Sequence, residues 1–229
     1  MARPANTDSE TTKRRVLECA LDAFAQAGYD GVSTRELAAA ANVTLATINY
    51  HFASKQGLFE AAIDEVHARI ARSLERVLID PTIADLYRRA ISGAAIPLAD
   101  LTTFCRRLFI VVREQRICIR LLARERVTTG RLTERSEGHV ANSNARWAPV
   151  LSAMFGIQEQ DGRAAIVAVT ALLDHFVIHD DDALIATLGV TNIDAAIDSV
   201  ARSLALVTAA HLTAHSSDAV AIAARRAQP

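Results

Sequence analysis

Residues 33–55 read STRELAAAANVTLATINYHFASK, and the way this stretch folds decides how the rest of the chain is read. Ser33 followed three residues later by Glu36 has the form of a capping box, each side chain satisfying an orphan amide of a starting helix. The spacing predicts a helix from Thr34. Leu37, Ala38 and Ala41 give it a small apolar face, and the alanine run leaves so little bulk that a neighbouring helix can pack close. Asn42 stands where the chain must turn, and asparagine tolerates the left-handed backbone that ends one helix and redirects the chain. Thr44 is placed to cap a second helix. In it Val43, Ile48 and Phe52 anchor one side, while Thr47, Asn49, Tyr50 and His51 keep hydrogen-bonding groups elsewhere. Two short helices joined by a tight turn, the second with polar groups outward, have the form that fits a DNA major groove.

Upstream, Val16, Leu17, Ala20, Leu21 and Phe24 recur at helical spacing across residues 12–27, and Gly28 is placed as a C-terminal stop. Residues 29–32 form the connecting turn. Downstream, Phe59, Ile63, Val66, Ile70 and Leu74 step by three or four residues and predict an amphipathic helix reaching about Ile79. Lys13, Arg14, Arg15, Arg35 and Lys55 fall at helix starts, where free amides also point outward. A helix N-terminus beside a cation holds a phosphate, although the same residues also suit plainly solvated helix ends.

The run Asn49-Tyr50-His51-Phe52-Ala53-Ser54-Lys55, continued by Gly57, Leu58 and Phe59, resembles the DNA-binding segment of the TetR family of transcriptional regulators. The resemblance covers residues 12–63. It departs from the common pattern at Asn42, where glycine is usual, at Ala46, where glycine or proline is frequent, and at Asn49, where tyrosine is frequent. The first departure is conformationally harmless, and the other two alter which bases are read. The resemblance implies an all-α protein, with a helix-turn-helix domain at residues 1–57 and a larger helical ligand-binding and dimerisation domain at 58–229. It implies DNA contacts from Thr44, Leu45, Thr47, Asn49, Tyr50 and His51 in the groove, with Thr34, Arg35 and Lys55 on the backbone. It further implies a cytoplasmic homodimer that reads a palindromic DNA operator, most often as a repressor released by a small-molecule effector; an activator is the close alternative. The helix after Lys55 would then pass any tilt from the second domain to the recognition helix.

Composition agrees with an all-α chain. Of 229 residues, 51% are hydrophobic but only 5% aromatic, and nine glycines and five prolines leave few turns. Cys19, Cys105 and Cys118 are isolated and odd in number, which suits buried thiols in a reducing compartment better than a disulfide framework. A formal net charge of −1 does not by itself suggest nucleic acid, so the placement of cations matters more than their sum. No run of about 18 apolar residues and no signal-peptide pattern stands in the sequence, so membrane spanning and secretion are not expected. Residues 1–10 read as a mobile arm in which Arg3 is a possible minor-groove contact, and 215–229 as an alanine-rich tail.

Past Pro81 the pattern predicts helices at about 83–94, 98–115, 117–126, 132–154, 161–188 and 193–214. Asp80-Pro81, Ile96-Pro97, Gly130, Gly156 and Gly189 mark the breaks. The last two helices carry more apolar surface than one intramolecular contact needs: Ile166, Val169, Leu173 and Phe176 on the first, Ile193, Ile197, Val200, Leu204 and Val207 on the second. By the resemblance this pair forms a four-helix bundle between two copies of the chain.

Several groups invite a chemical reading. His175 and His179, four apart beside Asp180, Asp181 and Asp182, have metal-ligand character but no third ligand at motif spacing, so a pocket or interface role is preferred. Cys105 and Cys118 lack an acid–base partner and read as core thiols. Arg106, Arg107, Arg113, Arg116, Arg120, Arg124 and Arg126 decorate exposed faces, or one or two of them point inward to hold an acidic ligand. Phe104, Phe109, Arg113, Trp147, His175 and Phe176 are the candidate effector-pocket residues, with core packing as the plain alternative. No catalytic constellation, metal site or cofactor motif is evident. An all-α carrier or enzyme is the rival class.

Overall fold

The computed structural model describes residues 5–92, 94, 96–129, 134–155 and 158–215. Arg3, Gly130, Leu132, Gly156 and the tail beyond His215 lie outside the described residues. Among the described residues all regular structure is helical: α1 Ala5–Ala27, α2 Thr34–Ala40, α3 Leu45–Phe52, α4 Lys55–Leu78, α5 Pro81–Ile91, α6 Leu98–Arg113, α7 Arg116–Thr129, α8 Glu134–Phe155, α9 Glu159–Val177, α10 Asp181–Leu188 and α11 Ile193–His215.

The described chain forms two compact units, one made of the residues up to Arg69 together with Ile117–His139, the other of Ile70–Arg116 together with the residues from Val140 onward. In the first unit α1, α2 and α3 pack on one another. Val16, Ala20, Leu21 and Phe24 of α1 are buried against Leu37, Ala38 and Ala41 of the second helix and its cap, and Ile48 and Phe52 of the third close the cluster. Leu58, Ala62, Ile63 and Val66, spaced by four, one and three along α4, are buried on one side as its amphipathic pattern requires. In the second unit α6 packs along α11, and α9 and α10 also meet α11. Leu101, Cys105, Leu108, Phe109 and Val112 face inward from α6, and Ala196, Val200, Ala201, Leu204 and Ala205 from α11. Three of those five α11 residues are alanines, so the helices approach closely; each buried leucine or valine contributes about 1.5–3 kcal/mol.

The structure corrects the expected helix 161–188. It is two helices, α9 and α10, bent by 112° at a short break. The cause lies in residues that sequence periodicity passes over. Asp180 adopts an extended backbone and its Oδ1 accepts from the Ala183 amide at 2.9 Å, capping a new helix whose first turn carries Asp181 and Asp182. Carboxylates favour a helix start and disfavour a helix end, so three in a row are placed to begin α10 and not to continue α9. A smaller shift concerns Pro81, which does not delay α5 but opens it, with Asp80 Oδ1 accepting from the Thr82 amide at 2.9 Å. Among the described residues no single helix is long and apolar enough to cross a membrane.

Candidate nucleic-acid interface

The first unit carries two short helices whose ends are fully built. At the start of α2, Ser33 is extended, its Oγ accepts from the Glu36 amide at 3.2 Å, and its own amide donates to Glu36 Oε2 at 2.7 Å. These hydrogen bonds hold the Glu36 carboxyl below its ordinary range, the backbone bond from Ser33 being the largest cause. The expected capping box is present. At the other end Asn42 takes a positive φ of 50°, the Val43 amide donates to Ala38 O at 2.9 Å, and the Asn42 amide donates to Ala39 O at 3.0 Å. That is a Schellman closure with asparagine in the place glycine commonly takes, so the departure at Asn42 costs the turn little.

Thr44 caps α3 as its position predicts. Its Oγ1 accepts from the Thr47 amide at 3.2 Å and lies 2.9 Å from Thr47 Oγ1. Ile48 is fully buried and Phe52 nearly so, which turns the opposite side of α3 to solvent. Thr44, Leu45, Asn49 and Tyr50 are exposed there, Tyr50 at 82%, while Thr47 and His51 are half-buried. The Tyr50 ring meets His51 edge-on with centroids 5.0 Å apart.

Sequence reasoning missed how α3 gives way to α4. Ala53 takes a φ of 63° without being glycine, and its amide still donates to Asn49 O at 2.9 Å. This sharp exit puts Ser54 where its Oγ accepts from the Gly57 amide at 3.0 Å, capping α4. Lys55 then opens α4 with its ammonium 4.3 Å above the Tyr29 ring. Tyr29 in turn meets Phe59 edge-on at 5.1 Å. Of the residues assigned to the DNA backbone, Arg35 is exposed and Thr34 and Lys55 are half-buried.

A polar set joins the α4, α7 and α8 parts of the same unit. Arg135 donates to both carboxylate oxygens of Asp64, and His139 Nε2 lies 2.9 Å from the same carboxylate. Those bonds, led by Arg135, hold the Asp64 carboxyl below its ordinary range. His67 stacks on His139 at 4.6 Å and lies 3.4 Å from the Ser136 hydroxyl, which donates to the buried Glu125 at 3.2 Å. Arg124 donates to the Gln26 carbonyl at 2.7 Å, near the end of α1.

In the second unit the candidate pocket residues are spread through different surroundings. Phe109 is fully buried, Phe104, Trp147 and Phe176 are half-buried, and His175 is exposed. Arg113 is largely buried, pairs with Asp181 at 2.7 Å and leaves its Nη1 without a hydrogen-bond partner. Arg106 pairs with Asp198 at 2.7 Å and Arg107 with Asp80 at 3.7 Å, so these members of the arginine series serve the fold. His179 lies 2.9 Å from the His175 carbonyl oxygen, and among the described residues no three histidine, cysteine or carboxylate groups gather as a metal site. Burial pushes the Cys105 thiol up to about 12 and that of Cys118 up to about 11, which removes nucleophilic character at ordinary pH.

Comparison with known proteins agrees with this geometry. Residues 16–62 match the family model described as bacterial regulatory proteins, tetR family. The probable HTH-type transcriptional regulator YttP of Bacillus subtilis is 38% identical over 65 residues, covering 28% of this chain and 31% of that protein. The chain thus aligns with about a third of the length of that curated relative. Among solved structures, a TetR-like transcriptional regulator from Rhodococcus sp. RHA1 is 21% identical with a TM-score of 0.57, covering 87% of this chain and 96% of the other. The multidrug binding protein EbrR complexed with malachite green is 20% identical with a TM-score of 0.55, covering 86% and 96%. At those identities the likeness speaks for the fold, which extends well beyond residues 16–62.

Proposed function

We propose that this chain, whose residues 16–62 match the model of the tetR family of bacterial regulatory proteins, is a member of that family and acts as a dimeric transcriptional regulator that binds a palindromic operator and responds to a small molecule. The observation that carries this reading is α3 itself: a capped helix with Ile48 and Phe52 buried and Leu45, Asn49 and Tyr50 turned to solvent. In this reading Thr44, Leu45, Thr47, Asn49, Tyr50 and His51 face the groove, and Thr34, Arg35 and Lys55 hold the phosphates. One such helix spans too few base pairs for specificity. Two related by a twofold axis read half-sites roughly 34–36 Å apart.

The dimer surface is assigned to α9, α10 and α11, where Val167, Leu206 and Val207 remain exposed and apolar. The effector site is assigned to the helical region of residues 58–229, with Phe104, Phe109, Arg113, Trp147, His175 and Phe176 as the lining. Repression is the mode we assign, with ligand favouring a conformation whose two heads no longer match the half-sites. Fluorescence anisotropy with the gene's own upstream region tests the reading. Lys55→Ala should weaken binding to all sequences and lower the salt slope by about one, whereas Asn49→Ala should change preference among operators. Equal losses on specific and random DNA for both variants contradict the assignment. Transcription that falls when the protein is removed reassigns it as an activator.

A further inference from the structure

A cavity of about 760 Å³ opens wholly within the first unit, and none of the residues assigned above to the effector lines it. Its walls are the turn after α1, the first two turns of α4, and the facing parts of α7 and α8. That volume lies in the range that accommodates drug-sized ligands. Tyr29, Phe59, Ile63 and Leu121 supply an apolar and aromatic side. The rim carries the carboxylates of Asp30, Glu60 and Glu134 beside the guanidiniums of Arg124 and Arg135, with Glu60 accepting from Gln56 Nε2 and Glu125 buried and accepting from Ser136. Both guanidiniums are already engaged. Arg135 is held by Asp64 and lies 3.7 Å from Glu60, and Arg124 donates to the Gln26 carbonyl.

An apolar hollow with aromatic faces and surplus carboxylate at its rim complements one kind of occupant. We propose that this cavity binds an amphipathic organic cation, its apolar body against Tyr29 and Phe59 and its charge toward Glu60 and Glu134. A neutral apolar ligand leaves the rim charge unanswered, and an anion is repelled by it. The position gives binding a consequence. Tyr29, which forms one wall, also lies under the Lys55 ammonium, and Gln56, Phe59 and Glu60 belong to the helix that Lys55 opens. An occupant in contact with both walls fixes the start of α4 against the turn after α1. This effect on DNA rests on the regulator reading above; occupancy of the cavity does not.

The test uses the full-length protein and two probes of the same shape and opposite charge, tetraphenylphosphonium and tetraphenylborate, measured by equilibrium dialysis. The cation should bind at least about tenfold more tightly than the anion. Glu60→Gln with Glu134→Gln, both at exposed or half-exposed positions, should weaken the cation about tenfold and remove most of that preference. Anion binding as tight as cation binding, or a preference unchanged in the double variant, overturns the proposal. DNA binding measured on the same samples separates the two claims. A protein that keeps the cation preference but binds no DNA refutes the regulator reading alone, and one that binds DNA without the cation preference refutes the cavity assignment alone.

Discussion

His67 gives the sharpest pH prediction. Its ring lies over His139 at 4.6 Å with an interplanar angle of 18°, its Nε2 faces Ser136, and Asp64 is the nearby carboxylate. Because the Ser136 hydroxyl donates to Glu125, its oxygen is left to accept from His67 Nε2, so a neutral ring carries its proton there and not on Nδ1. Burial and then the neighbouring His139 push His67 down from 6.5 to about 4, with Asp64 pulling the other way. The native ring therefore resists a proton that the unfolded chain accepts readily. Stability from this group is whole above pH 6.5 and is lost as pH falls toward about 4. At about pH 5 the difference amounts to about 2 kcal/mol before solvent is considered, and screening at a half-buried ring reduces it to about 1 kcal/mol. Urea unfolding followed by far-UV circular dichroism, at about pH 7.5 and about pH 5, should show the wild type losing about 1 kcal/mol more than His67→Gln. Asp64 is held ionised by Arg135 across that window and does not confuse the comparison. Identical losses in the two proteins refute the neutral ring.

Other expectations follow from single residues of α3, of its exit and of the core. Thr44→Ala removes the α3 cap and should cost about 1 kcal/mol in urea unfolding; no loss means the hydroxyl contributes nothing to the helix. Ala53→Gly relieves a non-glycine residue at φ 63° and should raise stability by about 0.5–1 kcal/mol, read as an increase in Tm. A fall in Tm contradicts the strain assigned to that exit. In native protein Cys19, half-buried, should react with a thiol reagent well before Cys105 and Cys118, whose thiols are buried and pushed upward. Mass spectrometry of the labelled peptides checks the order, and early labelling of Cys105 refutes it.

Local chemistry made the first three helices legible. Ser33 with Glu36, Asn42, and Thr44 with Thr47 act within three to five residues of one another, so their spacing is their geometry. The amphipathic stripes of α1 and α4 were legible for the same reason. The break between α9 and α10 was not, because the apolar pattern runs smoothly through Val177 and Leu184 and only the capping chemistry of Asp180 interrupts it. Still less legible was the first unit's use of residues 117–139. The pairs that join them to the rest, such as Asp64 with Arg135 and Gln26 with Arg124, span 71 and 98 positions. Periodicity carries no trace of contacts so distant. Arginines that looked like decoration or ligand clamps proved to be such ties.

On the proposed function, the same local chemistry narrows how α3 would read DNA. An eight-residue helix has no stability of its own in water, so its pose depends on two buried side chains, the Thr44 cap and the turn at Ala53. The cap engages two of the polar groups nearest the helix start, since the Thr44 and Thr47 hydroxyls lie 2.9 Å from one another. Thr47 keeps a further hydroxyl valence while it holds Thr44, but can offer it to a base only in the rotamer which that contact fixes. Asn49 and Tyr50 carry no such obligation: their side chains are exposed. On the proposed function, discrimination among operators falls on the exposed Asn49 and Tyr50 more than on Thr44 and Thr47, which hold the helix that presents them. Asn49 is also a position where this sequence departs from the pattern it resembles, so the departure falls on the residue freest to read and leaves the scaffold intact.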